Sequence, residues 1–230
     1  MPPNYSQLIG CYSSGMPGSG PRAGYCAWVP TLFCDLGGVV FADTPQRPLD
    51  AWRAANRGVL AVSTPAELFD DEYLGFQVGR VGESEYARHL RVRLGWTGSD
   101  QELVEIWSLS AGPVVLEVLD ALSSLRDRGW QLIAATNTDP WHEQACLEQF
   151  GWVLSLFDRV VSSTAVRARK PDPRFFAEML RGVPRHGPQL FVDDRPQNVS
   201  AARRAGIDGH VFAGAAALRA ACTSSALATS

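Results

Sequence analysis

Three short apolar runs in this chain each end on polar or acidic residues, and each is followed by a helical pattern. Thr31-Leu32-Phe33-Cys34 leads into Asp35-Leu36-Gly37-Gly38, Trp130 to Ala135 into Thr136-Asn137, and Gln189-Leu190-Phe191-Val192 into Asp193-Asp194. Such runs match strands buried on both faces. Between them, Val114, Val115, Val118, Leu119, Leu122 and Leu125 recur at helical spacing, with Pro113 at the start and Gly129 just past the end. Asp139-Pro140 opens a helix stopping near Gly151, Asp172-Pro173 one through Leu180, and Pro196 one to Ala205, closed by Gly206. Asp158 and Arg159 bound a short strand, and His210-Val211-Phe212 reads as a last one. The alternation predicts an α/β fold, a parallel sheet with crossover helices. Ligands in such sheets bind beyond the carboxyl ends of the strands.

One stretch breaks the alternation. From Thr44 to Ala111 the signals are helical and no strand is clear. Thr64-Pro65-Ala66-Glu67 and Ser99-Asp100-Gln101-Glu102 read as capping boxes, and Glu83 to Leu94 as a helix stopped by Gly95. The expected organisation is a loose Pro/Gly/Ser-rich tail over residues 1–24, a core formed by 25–43 and 112–213, an inserted all-helical unit at 44–111, and a C-terminal tail at 214–230 with one short helix around Ala215–Cys222.

A length of 230 residues, 46% hydrophobic and 20% charged, suits a globular chain. A net charge of −3 argues against unspecific nucleic-acid binding, and no apolar run is long enough to span a membrane. Cys11, Cys26, Cys34, Cys146 and Cys222 are scattered, odd in number and without a C-x-x-C pair, which suggests neither a disulfide framework nor a zinc site. A reducing, cytoplasmic setting is expected. The N-terminus shows no charged segment followed by an apolar one, so no signal peptide is expected.

The strand ends would bring Asp35, Thr136-Asn137 and Asp193-Asp194 to one edge of the sheet, with Lys170 in a loop between the second and third. Carboxylates, a hydroxyl and an ammonium together suit a divalent cation and a phosphate. Lys170 is the sole lysine of the chain; arginine fills every other basic position. A compact ammonium on a flexible stem can sit where a planar guanidinium fork cannot.

These residues carry a family resemblance. Phe33-Cys34-Asp35-Leu36-Gly37-Gly38-Val39-Val40-Phe41 resembles the first motif of the haloacid dehalogenase-like (HAD) hydrolases. Thr136-Asn137 is similar to their second motif and Arg169-Lys170-Pro171-Asp172-Pro173 to their third. Phe191-Val192-Asp193-Asp194 with Asn198 and Ala201 to Gly206 is similar to their fourth. The inserted helical block resembles the helical cap of one branch, and Thr136-Asn137-Thr138-Asp139 with His142 is similar to sugar-phosphate phosphatases of that branch.

The resemblance implies a Rossmann-like core with a helical cap and a Mg2+-dependent phosphatase acting on a small phosphorylated metabolite. Asp35 would attack phosphorus and form an aspartyl-phosphate. Asp35, Asp194 and the Gly37 carbonyl would hold the metal, and Asp193 would orient a metal-bound water or Lys170. Thr136, Asn137, Gly37 and Gly38 would contact the phosphoryl group, and Lys170 would offset its charge.

Gly37 departs from the pattern, because most phosphatases of this superfamily carry there a second aspartate that protonates the leaving oxygen. His142 is the candidate substitute. Two other readings share the motifs: a metal-free 2-haloacid dehalogenase with Asp35 as nucleophile, and an idle fold that binds a phosphorylated ligand or a partner protein. Asp43 reads as an entry to the helical unit, Trp52, Trp96 and Trp107 as its packing, and Arg80, Arg88, Arg91 and Arg93 as a solvated basic face.

Overall fold

The structure, a computed structural model, describes residues 29–56, 60–184 and 187–227. The expected N-terminal tail, Cys11 and Cys26 lie outside the described residues.

Strands β1 (Thr31–Cys34), β4 (Gln131–Thr136), β5 (Arg159–Ser162), β6 (Gln189–Asp193) and β7 (Asp208–Val211) form one parallel sheet in the order β5-β4-β1-β6-β7. Side chains alternate across a strand. Leu32, Cys34, Leu132, Ala134, Leu190 and Val192 therefore share one face with Val118, Leu122 and Leu125 of helix α5 (Leu116–Asp127) and Leu218 and Cys222 of α10 (Ala215–Leu227). Phe33, Ile133, Ala135 and Phe191 point the other way, onto Phe175 and Phe176 of α8 (Pro173–Met179) and Val199 and Ala202 of α9 (Pro196–Arg204). Both faces are covered, which is why the strands read as unbroken apolar runs.

Strands β2 (Phe41–Asp43) and β3 (Ala111–Val114) pair antiparallel into a short ribbon. The chain leaves the sheet through β2, forms helices α1 (Gln46–Ala55), α2 (Asp71–Phe76), α3 (Glu83–Leu94) and α4 (Asp100–Trp107), and returns through β3. These helices enclose a core of their own, including Leu49, Trp52, Phe76, Tyr86, Leu90 and Trp107. Trp141, from helix α6 (Pro140–Leu154), is buried in that same cluster.

Several boundaries differ from the sequence-based expectation. Pro113 lies in β3, and α5 starts at Leu116; a proline without N–H is tolerated in a two-stranded ribbon. Helix α6 continues past Gly151 to Leu154, with a non-helical Phe150 at φ −127°, ψ 21°. The Thr64 box opens a 3-10 turn at Pro65–Leu68, and α2 begins only after Asp70, whose side chain accepts from Tyr73 N. The last strand is Asp208–Val211, ahead of Phe212. Helix α10 reaches Leu227 because Leu218 and Cys222, one turn apart, are both buried against the sheet layer.

Candidate active site

The register decides which strand ends meet. Cys34 stands level with Ala134 of β4 and Val192 of β6, so the next residue on the central strand, Asp35, comes level with Ala135 and Asp193. Asp35 is 7% exposed, and its Oδ1 accepts a hydrogen bond from Leu36 N at 2.8 Å. Beyond it the backbone turns sharply: Leu36 O accepts from Val40 and Phe41 N, and Gly38 takes a positive φ of 74°.

Lys170 is 1% exposed and reaches three acceptors. Its Nζ lies 2.9 Å from Asp35 Oδ1 and donates to Asp193 Oδ2 at 2.7 Å and Ala135 O at 2.6 Å. The loop that presents it, after helix α7 (Ser163–Val166), is clamped by Asn137: Lys170 N donates to Asn137 Oδ1 at 2.8 Å, and Asn137 Nδ2 donates to Lys170 O at 2.9 Å. Through its side chain, Asn137 thus positions the lysine.

Asp193 is fully buried, and both its oxygens are engaged. Asn198 Nδ2 donates to Oδ1 at 2.9 Å and Oδ2 at 3.0 Å, and Arg195 N donates to Oδ1 at 2.9 Å. Burial pushes the Asp193 carboxyl up, but Lys170, helped by hydrogen bonding from Asp35 and Arg195 N, outweighs it and holds it below the usual range. Asp35 moves upward, because burial outweighs the pull of Lys170 and Asp193 adds like charge. Burial lowers Lys170, yet the two carboxylates prevail and keep it protonated. Asp194, partly buried, is pushed up first by burial and then by Asp193.

Carboxylate oxygens of Asp35, Asp193 and Asp194 lie within 4.8 Å of one another. Three carboxylates against one ammonium leave an excess of negative charge in a poorly hydrated place. An oxygen-rich, under-neutralised set of this kind fits a hard divalent cation. Since Asp193 spends its oxygens on Lys170, Asn198 and Arg195, the other two carboxylates are better placed as ligands. Gly38 leaves the space that Asp194 uses: a Cβ there would stand 2.7 Å from Asp194 Oδ2.

Asp35, Gly37, Thr136, Asn137, Asp194 and His142 line one cavity. Thr136 ends β4, level with Ser162 of β5. His142 sits one turn into α6, and its Nδ1 is 2.5 Å from Asp139 Oδ2. In the sequence Asp139 reads as a helix opener and as part of the Thr136-Asn137-Thr138-Asp139 run, without a role of its own. It is fully buried, caps α6 by accepting from Trp141 N and His142 N at 3.1 Å each, and accepts from Trp107 Nε1 of the helical block at 3.1 Å. Asp-Pro signals the cap; no sequence signal announces the contact with Trp107.

Two further contacts tie the block to the sheet: Arg169 Nε donates to Gln77 Oε1 at 3.0 Å, and Trp141 Nε1 to Glu83 Oε2 at 2.9 Å. Asp43 is exposed on β2. Trp96 and Trp107 are buried in the block's core. Arg91 and Arg93 bind groups within the block, Arg91 with Asp100 and Gly98 O, Arg93 with Asp70 and Glu67 O.

Residues 29–206 match the family model for haloacid dehalogenase-like hydrolases. The sesquiterpene phosphatase astK of Aspergillus oryzae is 26% identical over 80% of this chain and 90% of its own. The HAD family enzyme bt-2542 of Bacteroides thetaiotaomicron, solved with magnesium and inorganic phosphate, superposes with a TM-score of 0.68 at 22% identity, over 80% of this chain and 94% of that one. The L-2-haloacid dehalogenase of Xanthobacter autotrophicus gives 0.58 at 21% identity, over 80% and 78%.

Proposed function

The chain belongs to the haloacid dehalogenase-like hydrolases, and from that premise we propose that it is a magnesium-dependent phosphatase working through an aspartyl-phosphate on Asp35. The observation that carries the reading is the buried Asp35–Lys170–Asp193 ion cluster, with Asp194 beside it. Asp35, Asp194 and the Gly37 carbonyl would hold Mg2+, which supplies charge neutralisation for the phosphoryl oxygens. The phosphatase relative supports phosphoryl over carbon chemistry, and the fold accommodates magnesium and phosphate in the Bacteroides enzyme.

A carboxylate oxygen of Asp35 bonds to phosphorus while the ester P–O bond breaks. Water then attacks phosphorus, the Asp35–phosphorus bond breaks, and the carboxylate returns as inorganic phosphate leaves. Lys170 keeps Asp35 oriented and offsets the charge that nucleophile and phosphoryl group share. Thr136 and the backbone N–H groups at Gly37 and Asn137 hold the phosphoryl oxygens, whereas Gly38 N donates to Phe41 O at 2.8 Å and serves the turn.

The leaving oxygen needs a proton that Gly37 cannot give. His142 supplies it, oriented through Nδ1 by the buried Asp139. Removing such a group typically costs about 10²–10⁴-fold. His142→Ala should therefore slow an alkyl phosphate far more than p-nitrophenyl phosphate, whose leaving group needs little protonation; equal rates on the alkyl ester would reject the role.

The test of the reaction class is release of inorganic phosphate from p-nitrophenyl phosphate and acetyl phosphate with Mg2+. Activity should vanish with EDTA and with Asp35→Asn. Chloride release from 2-chloropropionate that survives EDTA would instead identify a dehalogenase.

A further inference from the structure

We propose that the substrate's organic group is a hydrocarbon or aromatic alcohol rather than a sugar, so that the protein takes apolar phosphate monoesters; this rests on the phosphatase reading above. The cavity has two unlike sides. The sheet side is polar, with Asp35, Thr136, Thr138, His142, Asp194 and Arg195 among its lining. Among the described residues, what α1 to α4 and the turns between them contribute is proline, leucine or aromatic, with the single exception of Gln77.

Pro48, Trp52, Leu68, Phe69, Tyr73 and Leu74 make most of that side. Proline offers no N–H, and leucine and phenylalanine offer no polar side-chain atom. The polar atoms that remain are largely spent. Gln77 Nε2 donates to Tyr73 Oη at 2.9 Å, its Oε1 accepts from Arg169 Nε at 3.0 Å, and Trp107 Nε1 donates to Asp139 Oδ2 at 3.1 Å. The one buried polar atom of these residues without a partner is Trp52 Nε1.

A sugar brings several hydroxyls, and each hydroxyl buried without a partner is penalised. On the helical side, where the organic group would lie, a single indole N–H cannot satisfy a ring of them. A hydrocarbon has no such demand and gains by leaving water. Phe69 lines this cavity while 49% exposed, so apolar surface there still awaits cover. The sequence resemblance pointed to sugar-phosphate phosphatases; the wall chemistry favours a different leaving group.

The experiment measures binding separately from turnover. Ethyl-, butyl-, hexyl- and octylphosphonate, which cannot be hydrolysed at the P–C bond, are titrated calorimetrically into the Mg2+-loaded wild-type protein. Full burial of a methylene is worth about fourfold in affinity, so Kd should tighten at least tenfold from ethyl to octyl. Phe69→Ser should shrink that gain, weakening octylphosphonate binding by a larger factor than ethylphosphonate binding. A Kd independent of chain length, or tighter binding of glucose 6-phosphate than of octylphosphonate, would overturn the inference. Phosphate release from the matching alkyl phosphates is followed in parallel: tightening without turnover of any ester would defeat the hydrolytic reading alone, because the titration still decides the apolar preference.

Discussion

Two adjacent glycines, Gly37 and Gly38, stand just beyond Asp35 for different reasons. At Gly37 an added Cβ would meet nothing within 4 Å and the backbone φ is not positive, so a side chain fits. Gly37→Asp should place a carboxyl two residues from Asp35, next to the cavity, and raise kcat on alkyl phosphates by about 10- to 100-fold, toward the usual worth of general acid help. A variant that folds with Mg2+ bound yet turns over alkyl esters no faster would sink that expectation. Gly38 is the opposite case: its φ of 74° disfavours any other residue, and a Cβ would press on Asp194. Gly38→Ala should weaken Mg2+ affinity measurably by calorimetry, roughly tenfold if Asp194 must swing aside, at a strain of about 1–2 kcal/mol. Asp139 gives a pH dependence. Burial pushes its carboxyl up, but His142 and the donors from Trp107 and the α6 N-terminus win, and it lies below its ordinary value. The folded protein then binds that proton less readily than the unfolded chain. The stability it contributes is complete above a carboxylate's usual value of about 4 and is lost as pH falls through the lowered one. The urea midpoint gap between wild type and Asp139→Asn should therefore narrow in acid; a gap constant from pH 7 to pH 3 would contradict the sign.

At the scale of elements, the ribbon of β2 and β3 sets where the helical block joins the sheet. Its tightest point is Gly112, where an added Cβ would fall 1.8 Å from Ala42 O. Gly112→Ala should destabilise the fold by about 1–3 kcal/mol, the usual cost of overpacking, read as a lowered urea midpoint. This ribbon was not legible beforehand, since strands this short carry too few residues for a period and Pro113 reads as a helix start. The central strands β1, β4 and β6 of the parallel sheet were legible, although β1 has only four residues, because burial on both faces leaves unbroken apolar runs that stop on polar residues. The two capping boxes show the boundary of local information. Ser99 Oγ accepts from Glu102 N, and α4 follows; Glu67 reaches back to Thr64 N in the same manner, and only a short 3-10 turn forms. A box satisfies the first N–H groups of a helix, whereas the length depends on what its apolar face can bury.

At the scale of the whole molecule, the carboxylate cluster and the helical block belong to one construction. On the proposed function Mg2+ would bind the folded state only, so saturating it should raise stability by RT ln(1 + [Mg2+]/Kd), about 2.7 kcal/mol at one hundred times Kd. The melting temperature should rise with Mg2+, return with EDTA, and stay flat in Asp194→Asn; an equal rise in that variant would place the ion elsewhere. Among the described residues, no helix is long and apolar enough to cross a membrane. The block meets the sheet through Arg169–Gln77, Trp107–Asp139 and Trp141–Glu83, each pairing a residue of α2, α3, α4 or its neighbourhood with one beside the strand ends.

Asp35, Lys170, Asp193 and Asp194 could be singled out from the chain alone, because strand ends in a parallel sheet are marked by where apolar runs stop, and a sole lysine among arginines stands out. The α/β class and the inserted helices were legible for the same reason: periodicity records which face each residue buries. What tertiary structure alone decided was pairing between segments far apart in sequence. Asn137 turned out to clamp the Lys170 backbone, Asp193 to spend both oxygens on its neighbours, Asp139 to join Trp107 to His142, and the helices to offer the cavity an apolar wall. Those outcomes follow from packing distances between elements, to which no local spacing of residue types gives access.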